Sequence, residues 1–203
     1  MKDLTISRRA VIGGLAGLGL VPVFPAWALS VSDAEGFIKT VLEELRDLIR
    51  NKIDGEVGAA RFLALLEDKA ALPQFGKFAV GRAWRDMSPA QQDAYMAAFK
   101  DYIAKTYQKR FGDYAGEDIV ISSSRDLGKK GVLVQSQLTR PNGQSFDIEW
   151  LVSDRLGPTK LADIVFEGVS LSITMRELFG GMLEQRNGDI DSFIADLAAS
   201  EGA

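Results

Sequence analysis

The stretch Leu72–Phe111 constrains the fold more strongly than any other part of the chain. Within it, Ser88 fits the N-cap of a helix, Pro89 the first helical position and Gln91 the reciprocal capping partner. Apolar residues then recur at helical spacing and predict a long amphipathic helix that ends near residue 109. Because such a helix must bury its apolar face, the rest of the chain has to supply a complementary apolar surface.

The apolar periodicity changes twice along the chain. It is helical over residues 32–110, alternates as in strands over 118–167, and is helical again over 170–199. We predict four antiparallel strands, near residues 119–124, 132–139, 145–153 and 161–165. Helices followed by a sheet and then by helices indicate an α+β fold, and we expect a single domain over residues 29–203.

Three helix starts carry residues that are typical of N-caps. We expect Ser32 to cap the first helix, Ser170 the first closing helix, and Asp189 or Asp191 the last helix. Gly81 is placed to end the short helix that Pro73 begins.

Residues 1–28 have the organisation of an export signal. Lys2, Arg8 and Arg9 precede an uncharged apolar stretch that ends at an Ala26-Trp27-Ala28 cleavage pattern. The arginine pair resembles a twin-arginine signal, and a general secretory signal fits almost as well. An uncleaved membrane anchor is the alternative, but two prolines and four glycines make the stretch a poor helix. We therefore expect cleavage near Ala28 and a location in the periplasm.

Composition excludes several kinds of chemistry. The chain has no cysteine and no histidine, which excludes disulfides, thiolate metal sites and catalytic triads that need these residues. We therefore predict no metal site and no cofactor. The net charge is −4, and removing the +2 of residues 1–28 leaves −6, which disfavours binding to nucleic acid. Asp163 and Glu167 could act as an acid–base pair, but at this spacing a structural contact in a turn is the commoner role.

Three segments together resemble the MlaC/toluene-tolerance family of periplasmic phospholipid-binding proteins. They are Gly81–Arg85 followed by Ser88-Pro89 and Phe99, then Asp163–Leu171, then Arg176 and Phe179 with Gly188–Ile194. The resemblance covers roughly Ser32 to Ala199, and the segments occur in the order of the family. Gln74, Ala83 and Met175 depart from residues that are common in the family, which leaves open which lipid is carried. A hopanoid-associated branch shares much of the pattern.

The resemblance implies a nuclear-transport-factor-like fold, in which a highly twisted antiparallel sheet and helices surround a deep apolar pocket. It implies a soluble, monomeric lipid carrier without enzyme activity, the substrate-binding component of an ABC transport system that maintains outer-membrane lipid asymmetry. The partners would be an outer-membrane lipoprotein complex and an inner-membrane ABC transporter with a mammalian-cell-entry-domain subunit. The alternatives are a carrier of hopanoid or another apolar ligand, a hydrolase or isomerase on a similar cone-shaped fold, and a structural protein.

Aromatic, aliphatic and methionine side chains from several elements are the candidates for the pocket lining, although the same residues suit an ordinary core. They are Phe75, Phe78, Trp84, Phe99, Ile103, Tyr107, Trp150, Val152, Ile164, Phe166, Val169, Leu171, Met175 and Phe179. Two arginines, Arg82 and Arg85, could contact a lipid phosphate. The alternative role for them is a structural ion pair with Asp86, Asp163 or Glu167.

Overall fold

The computed structural model describes residues 29–50, 55–111, 118–155 and 157–200, so the predicted signal and its cleavage site lie outside the described residues. Five helices precede the sheet and two follow it within these ranges. The helices are α1 (Val31–Arg50), α2 (Gly55–Lys69), α3 (Leu72–Val80), α4 (Ala83–Asp86), α5 (Pro89–Phe111), α6 (Leu171–Gln185) and α7 (Ile190–Ala199). None of these helices combines the length and the apolar character needed to cross a lipid bilayer.

The sheet is an antiparallel meander in which every strand pairs with its neighbours in sequence. Its strands are β1 (Asp118–Asp126), β2 (Val132–Thr139), β3 (Ser145–Ser153), β4 (Lys160–Phe166) and β5 (Val169–Ser170). The α+β class and the four longer strands are confirmed, and β5 was missed because two residues are too short to show alternation. The register shifts between Ile121 and Ser123 and between Leu151 and Val152. Irregularities of this kind increase the local twist of a sheet.

The start of α5 has the predicted reciprocal cap. The amide of Ser88 donates to Oε1 of Gln91 at 2.9 Å, and the amide of Gln91 donates to Oγ of Ser88 at 3.3 Å. These bonds satisfy amides that have no partner inside the helix. The direction of α5, against which α2, α3 and α7 pack, is therefore fixed at its first turn.

Two of the other predicted helix caps are observed, whereas the cap of α1 and the left-handed conformation expected for Gly81 are not. Ser170 accepts from the amide of Ile173 and Asp189 accepts from the amide of Ser192, as predicted. The cap of α1 is Ser30 and not Ser32, because Oγ of Ser30 accepts from the amide of Asp33 at 3.1 Å. Gly81 ends α3 with a positive φ of 64°, but its ψ of −126° lies outside the left-handed helical region.

The centre of the helical layer is a cluster of aromatic rings from α5, α6 and α7. The ring of Phe179 lies 5.7–6.4 Å from the rings of Tyr95, Phe99, Tyr102 and Phe193. Burial raises the pKa of the Tyr95 phenol, whose hydroxyl donates to the carbonyl of Gly76 at 2.8 Å. Tyr95, one of the two tyrosines of the cluster, therefore keeps its proton and has a partner for it.

Trp150 on β3 has a buried polar group whose partner lies on β2. Its indole Nε1 donates to Oγ of Ser136 at 2.8 Å, and Ser136 is 2% exposed. We expect Ser136→Ala to lower the free energy of unfolding by about 1–3 kcal/mol, because the indole N–H would lose its partner without access to water. Urea denaturation followed by tryptophan fluorescence measures this change. The exposed Ser145→Ala is the control, and equal stabilities of the two variants would contradict the assignment.

Candidate functional site

Two adjoining spaces lie between the α2–α3 corner and the strand β4. The outer cleft has a volume of about 580 Å³ and opens to solvent. The inner cavity has a volume of about 80 Å³. Ala70 and Phe75 line both spaces, so they form the partition between them. The chain passes here from α2 into α3, where the amide of Ala71 donates to the carbonyl of Leu161 on β4 at 2.9 Å.

The inner cavity is lined by apolar side chains from five elements. They are Phe62, Leu66, Ala70, Leu72, Phe75, Phe99, Ile103, Leu161, Ile164 and Leu171. Five of the predicted lining residues meet here: Phe75, Phe99, Ile103, Ile164 and Leu171. Among the described residues, no polar group is exposed in the wall of this cavity, so a ligand inside it would be held mainly by apolar contacts.

Five of the described lining residues were not predicted from the sequence. They are Phe62, Leu66, Ala70, Leu72 and Leu161. Four of these residues lie on α2, at the α2–α3 junction or at the start of α3. Their apolar spacing was visible, but it fits a helix that covers a core equally well. The parallel bridge between Ala70 and Leu161 brings this helix corner to β4, and no local sequence signal predicts such a contact.

Several predicted lining residues lie in the core instead of at the cavity wall. Val152 and Phe179 are fully buried, and Trp150 and Met175 are nearly so. Trp84 is half-buried, with its ring 6.1 Å from that of Tyr95. Four of these five side chains belong to the buried core, and Trp84 packs against it. The side chain of Tyr107 lies outside the described part of the structure.

Three of the predicted residues are exposed. Phe78 is 42% exposed and lines the outer cleft, near its mouth. Phe166 is 44% exposed because it lies at the β4–β5 turn, where its ring stacks on Phe146 at 5.6 Å. Val169 is 60% exposed on the two-residue edge strand β5. The structure therefore brings Phe78 to the cleft but leaves Phe166 and Val169 on the outer surface.

Arg82 and Arg85 are exposed at the corner between α3 and α5. Neither forms an ion pair with Asp86, Asp163 or Glu167 in the part of the chain that the structure describes. Two of these carboxylates have other partners: Asp163 binds Ser170 and Ser172, and Glu167 accepts from the amide of Asp147. The expected structural ion pair is therefore not formed.

Asp163 connects β4 to the first turn of α6 at the rim of the outer cleft. Its Oδ2 accepts from the hydroxyls of Ser170 at 2.6 Å and Ser172 at 3.0 Å. Its Oδ1 accepts from the amides of Ile164 at 2.9 Å and Ser172 at 3.1 Å. Because each oxygen accepts from donors of the fold, this carboxylate ties the start of α6, where Leu171 lines the cavity, to β4.

Charged side chains surround the end of α2 beside the outer cleft. Lys160 donates to the carbonyls of Glu67 and Asp68, which lie in the last turn of that helix. Nζ of Lys69 lies 2.8 Å from Oδ2 of Asp68 and 2.9 Å from Oε1 of Glu44. The carboxylates of Asp68 and Glu44 raise the pKa of Lys69. Lys100 pairs with Glu67 at 2.6 Å. Cations at this end of the helix also complement its dipole.

Comparison with known proteins agrees with this architecture. The solved structure of a phospholipid-binding protein from Ralstonia solanacearum, in complex with a phospholipid, superposes with a TM-score of 0.64. It is 22% identical, and the match covers 84% of this chain and 99% of that chain. At 22% sequence identity, this structural similarity shows that the two proteins share a fold.

Sequence comparison gives the family. The toluene tolerance protein Ttg2D of Pseudomonas putida is 19% identical over 110 residues, which are 54% of this chain. The match spans about half of that relative, 51% of its length. The sequence model of the MlaC protein family matches residues 36–199, which is most of the chain and includes both faces of the outer cleft. The chain therefore belongs to the MlaC protein family.

Proposed function

We propose that this protein is a phospholipid carrier of the periplasm and not an enzyme. The observation that carries the proposal is the apolar inner cavity, which adjoins an open cleft through Ala70 and Phe75. Acyl chains would occupy the inner cavity, and the headgroup would stay in the outer cleft near water. The phospholipid bound to the related protein of Ralstonia solanacearum supports this ligand class.

The size of the ligand requires the cavity to widen. Burying a methylene is worth about 0.8 kcal/mol, so two acyl chains with roughly thirty methylenes involve on the order of 20 kcal/mol. Pockets for small molecules usually measure about 300–1,000 Å³. Because the inner cavity has about 80 Å³, its walls must separate when the chains enter.

The corner between α2 and α3 is the wall that we expect to move. Its hydrogen bonds to β4, from the amide of Ala71 to the carbonyl of Leu161 and from Lys160 to the last turn of α2, must break when it moves. Its end is also held by the ion pairs Lys100–Glu67 and Lys69–Glu44, in which the carboxylates are about half exposed. Exposed ion pairs of this kind contribute about 0–1 kcal/mol each. A displacement of this corner, together with a rotation of Phe75, would join the two spaces without breaking the sheet.

The alternative of a hydrolase or isomerase needs polar groups at the cavity floor. The wall of the inner cavity offers none, since its ten lining residues are all apolar. General acid–base catalysis requires a titratable group within hydrogen-bonding reach of the substrate. This observation favours a carrier over an enzyme, and it applies equally to a phospholipid and to a hopanoid.

In the cell, such a carrier would be the substrate-binding component of an ABC transport system. It would move lipid between an outer-membrane lipoprotein complex and an inner-membrane transporter with a mammalian-cell-entry-domain subunit, and so maintain outer-membrane lipid asymmetry. The export signal predicted in residues 1–28 supports a periplasmic location. We propose that the carrier acts as a monomer.

A transfer assay tests the carrier function. Donor vesicles contain a phospholipid with a self-quenched fluorescent acyl chain, and acceptor vesicles contain none. We expect the rate of fluorescence increase to rise in proportion to the concentration of the purified protein, because each molecule carries lipid through water. Heat-denatured protein is the control. A rate that does not depend on the native protein would contradict the proposal.

A further inference from the structure

A basic and apolar surface lies beside the mouth of the outer cleft. We define this mouth patch as the cations Lys77, Arg82, Arg85 and Arg176 with the apolar side chains Phe78 and Ile173. The residues come from the end of α3, the α3–α4 corner and α6. Phe78 belongs both to the patch and to the wall of the cleft.

Two of the four cations, Arg176 and Lys77, lie over aromatic rings at this corner. The guanidinium carbon of Arg176 lies 5.0 Å from the centre of the Phe78 ring, and its Nη1 donates to the Phe78 carbonyl at 3.3 Å. Nζ of Lys77 lies 5.2 Å from the centre of the Trp84 ring. A Cβ on Gly81 would lie 3.4 Å from Nη2 of Arg176, so the corner packs closely against this arginine.

The patch is positive although the chain as a whole is negative. Among the described residues, no ion pair involves Lys77, Arg82, Arg85 or Arg176. Asp86 and Glu177 are the acidic residues next to them in sequence, so four cations against two carboxylates leave +2. Lys69, Lys100 and Arg186, by contrast, are each paired with a carboxylate. The four cations of the mouth patch therefore differ from these three in having no directly paired carboxylate among the described residues.

Two exposed apolar side chains accompany these charges. Phe78 is 42% exposed and Ile173 is 52% exposed. Ile173 lies three residues before Arg176 on α6, so the two side chains are neighbours on the helix surface. Cations beside exposed apolar groups are complementary to the boundary of a lipid bilayer, where anionic headgroups cover acyl chains. A bilayer is favoured over an acidic protein because it also contains the lipid that the proposed carrier takes up through the adjoining cleft.

We propose that the mouth patch docks the outer cleft on the surface of an anionic lipid bilayer. This inference rests on the proposed carrier function, because docking would serve to bring the cleft to a membrane that supplies or receives the lipid. The cations bind headgroup phosphates, and Phe78 and Ile173 enter the boundary between headgroups and acyl chains. The mouth of the cleft then faces the membrane, and the lipid crosses less water.

Co-sedimentation with vesicles tests the docking. The purified protein is mixed with vesicles of phosphatidylglycerol and phosphatidylcholine, or with vesicles of phosphatidylcholine alone, at low and at high salt. We expect preferential binding to the anionic vesicles that decreases with salt. The double variant Arg82→Ala/Arg85→Ala should bind anionic vesicles about thirtyfold more weakly, since each cation contributes about fivefold at such a surface. The control is Lys129→Ala/Lys130→Ala, which removes the same charge from the exposed turn after β1 and should bind as the wild type does.

The outcomes separate this inference from the carrier function. Lipid that co-purifies with the wild-type protein is measured in parallel by mass spectrometry. If lipid is recovered but the wild type binds both kinds of vesicle equally, docking is overturned and an acidic protein becomes the partner of the patch. An equal loss of binding in the two double variants also overturns it, because the effect would then follow net charge alone. Recovery of no lipid would contradict the carrier function, whatever the vesicles show.

Discussion

Cysteines introduced by Ala70→Cys and Leu161→Cys are expected to stop phospholipid transfer almost completely when they are oxidised, and reduction should restore it. The two residues are partners in a parallel bridge between the α2–α3 junction and β4, and both line the inner cavity. Bridge partners have Cα atoms at a distance that a disulfide can span. Because the natural chain has no cysteine, no other disulfide can form within one molecule of the variant, and gel filtration removes disulfide-linked dimers. The bond would hold closed the corner that we expect to move.

A second pair of cysteines controls for the effect of a cross-link as such. Val120→Cys and Gln137→Cys replace exposed residues that are paired between β1 and β2, within the sheet and away from the inner cavity. We expect this variant to transfer lipid at the same rate in its oxidised and reduced forms. The readout is the vesicle transfer rate before and after dithiothreitol. If the oxidised Ala70→Cys/Leu161→Cys protein transfers lipid as fast as its reduced form, the α2–α3 corner is not the moving wall.

Phe179→Ala is expected to lower the free energy of unfolding by about 3–5 kcal/mol. Phe179 is fully buried, and its ring contacts four other aromatic rings from α5 and α7. Removing the ring leaves a cavity that the surrounding rings cannot fill, since each is held by contacts with the others. Because a domain has about 5–15 kcal/mol of stability, this loss would be a large share of the total.

Urea denaturation measures the effect of Phe179→Ala. The control is Leu178→Ala, which replaces the preceding residue on the same helix. Leu178 is 40% exposed, so its replacement should cost less than about 1 kcal/mol. Similar losses in the two variants would show that the aromatic cluster is not the centre of the core.

The helices and longer strands could be predicted because their signals are local. The reciprocal cap at Ser88 and Gln91 needs four consecutive residues, and the alternation of β2 and β3 is visible within each strand. The cap of α1 could not be decided in the same way, because Ser30 and Ser32 both suit the position. The strand β5 escaped prediction because it has two residues.

The candidate site was only partly predictable because it depends on contacts between distant elements. Phe99 and Ile103 are recognisable on the apolar face of α5, and Phe75 on that of α3. The contribution of α2 follows from the Ala70–Leu161 bridge, which joins residues far apart in sequence. Alternation places Phe166 on the same face as Ile164, but it cannot tell that the strand reaches the β4–β5 turn, where the side chain is exposed.

Direct extraction of the purified protein tests the central claim of a lipid carrier. The protein, isolated from cells that export it, is extracted with organic solvent, and the extract is analysed by mass spectrometry against a known amount of protein. We predict phospholipid in a stoichiometric amount, and a hopanoid in its place would keep the carrier but change its ligand. Protein that contains no lipid, and that takes up none from phospholipid vesicles, would contradict the account.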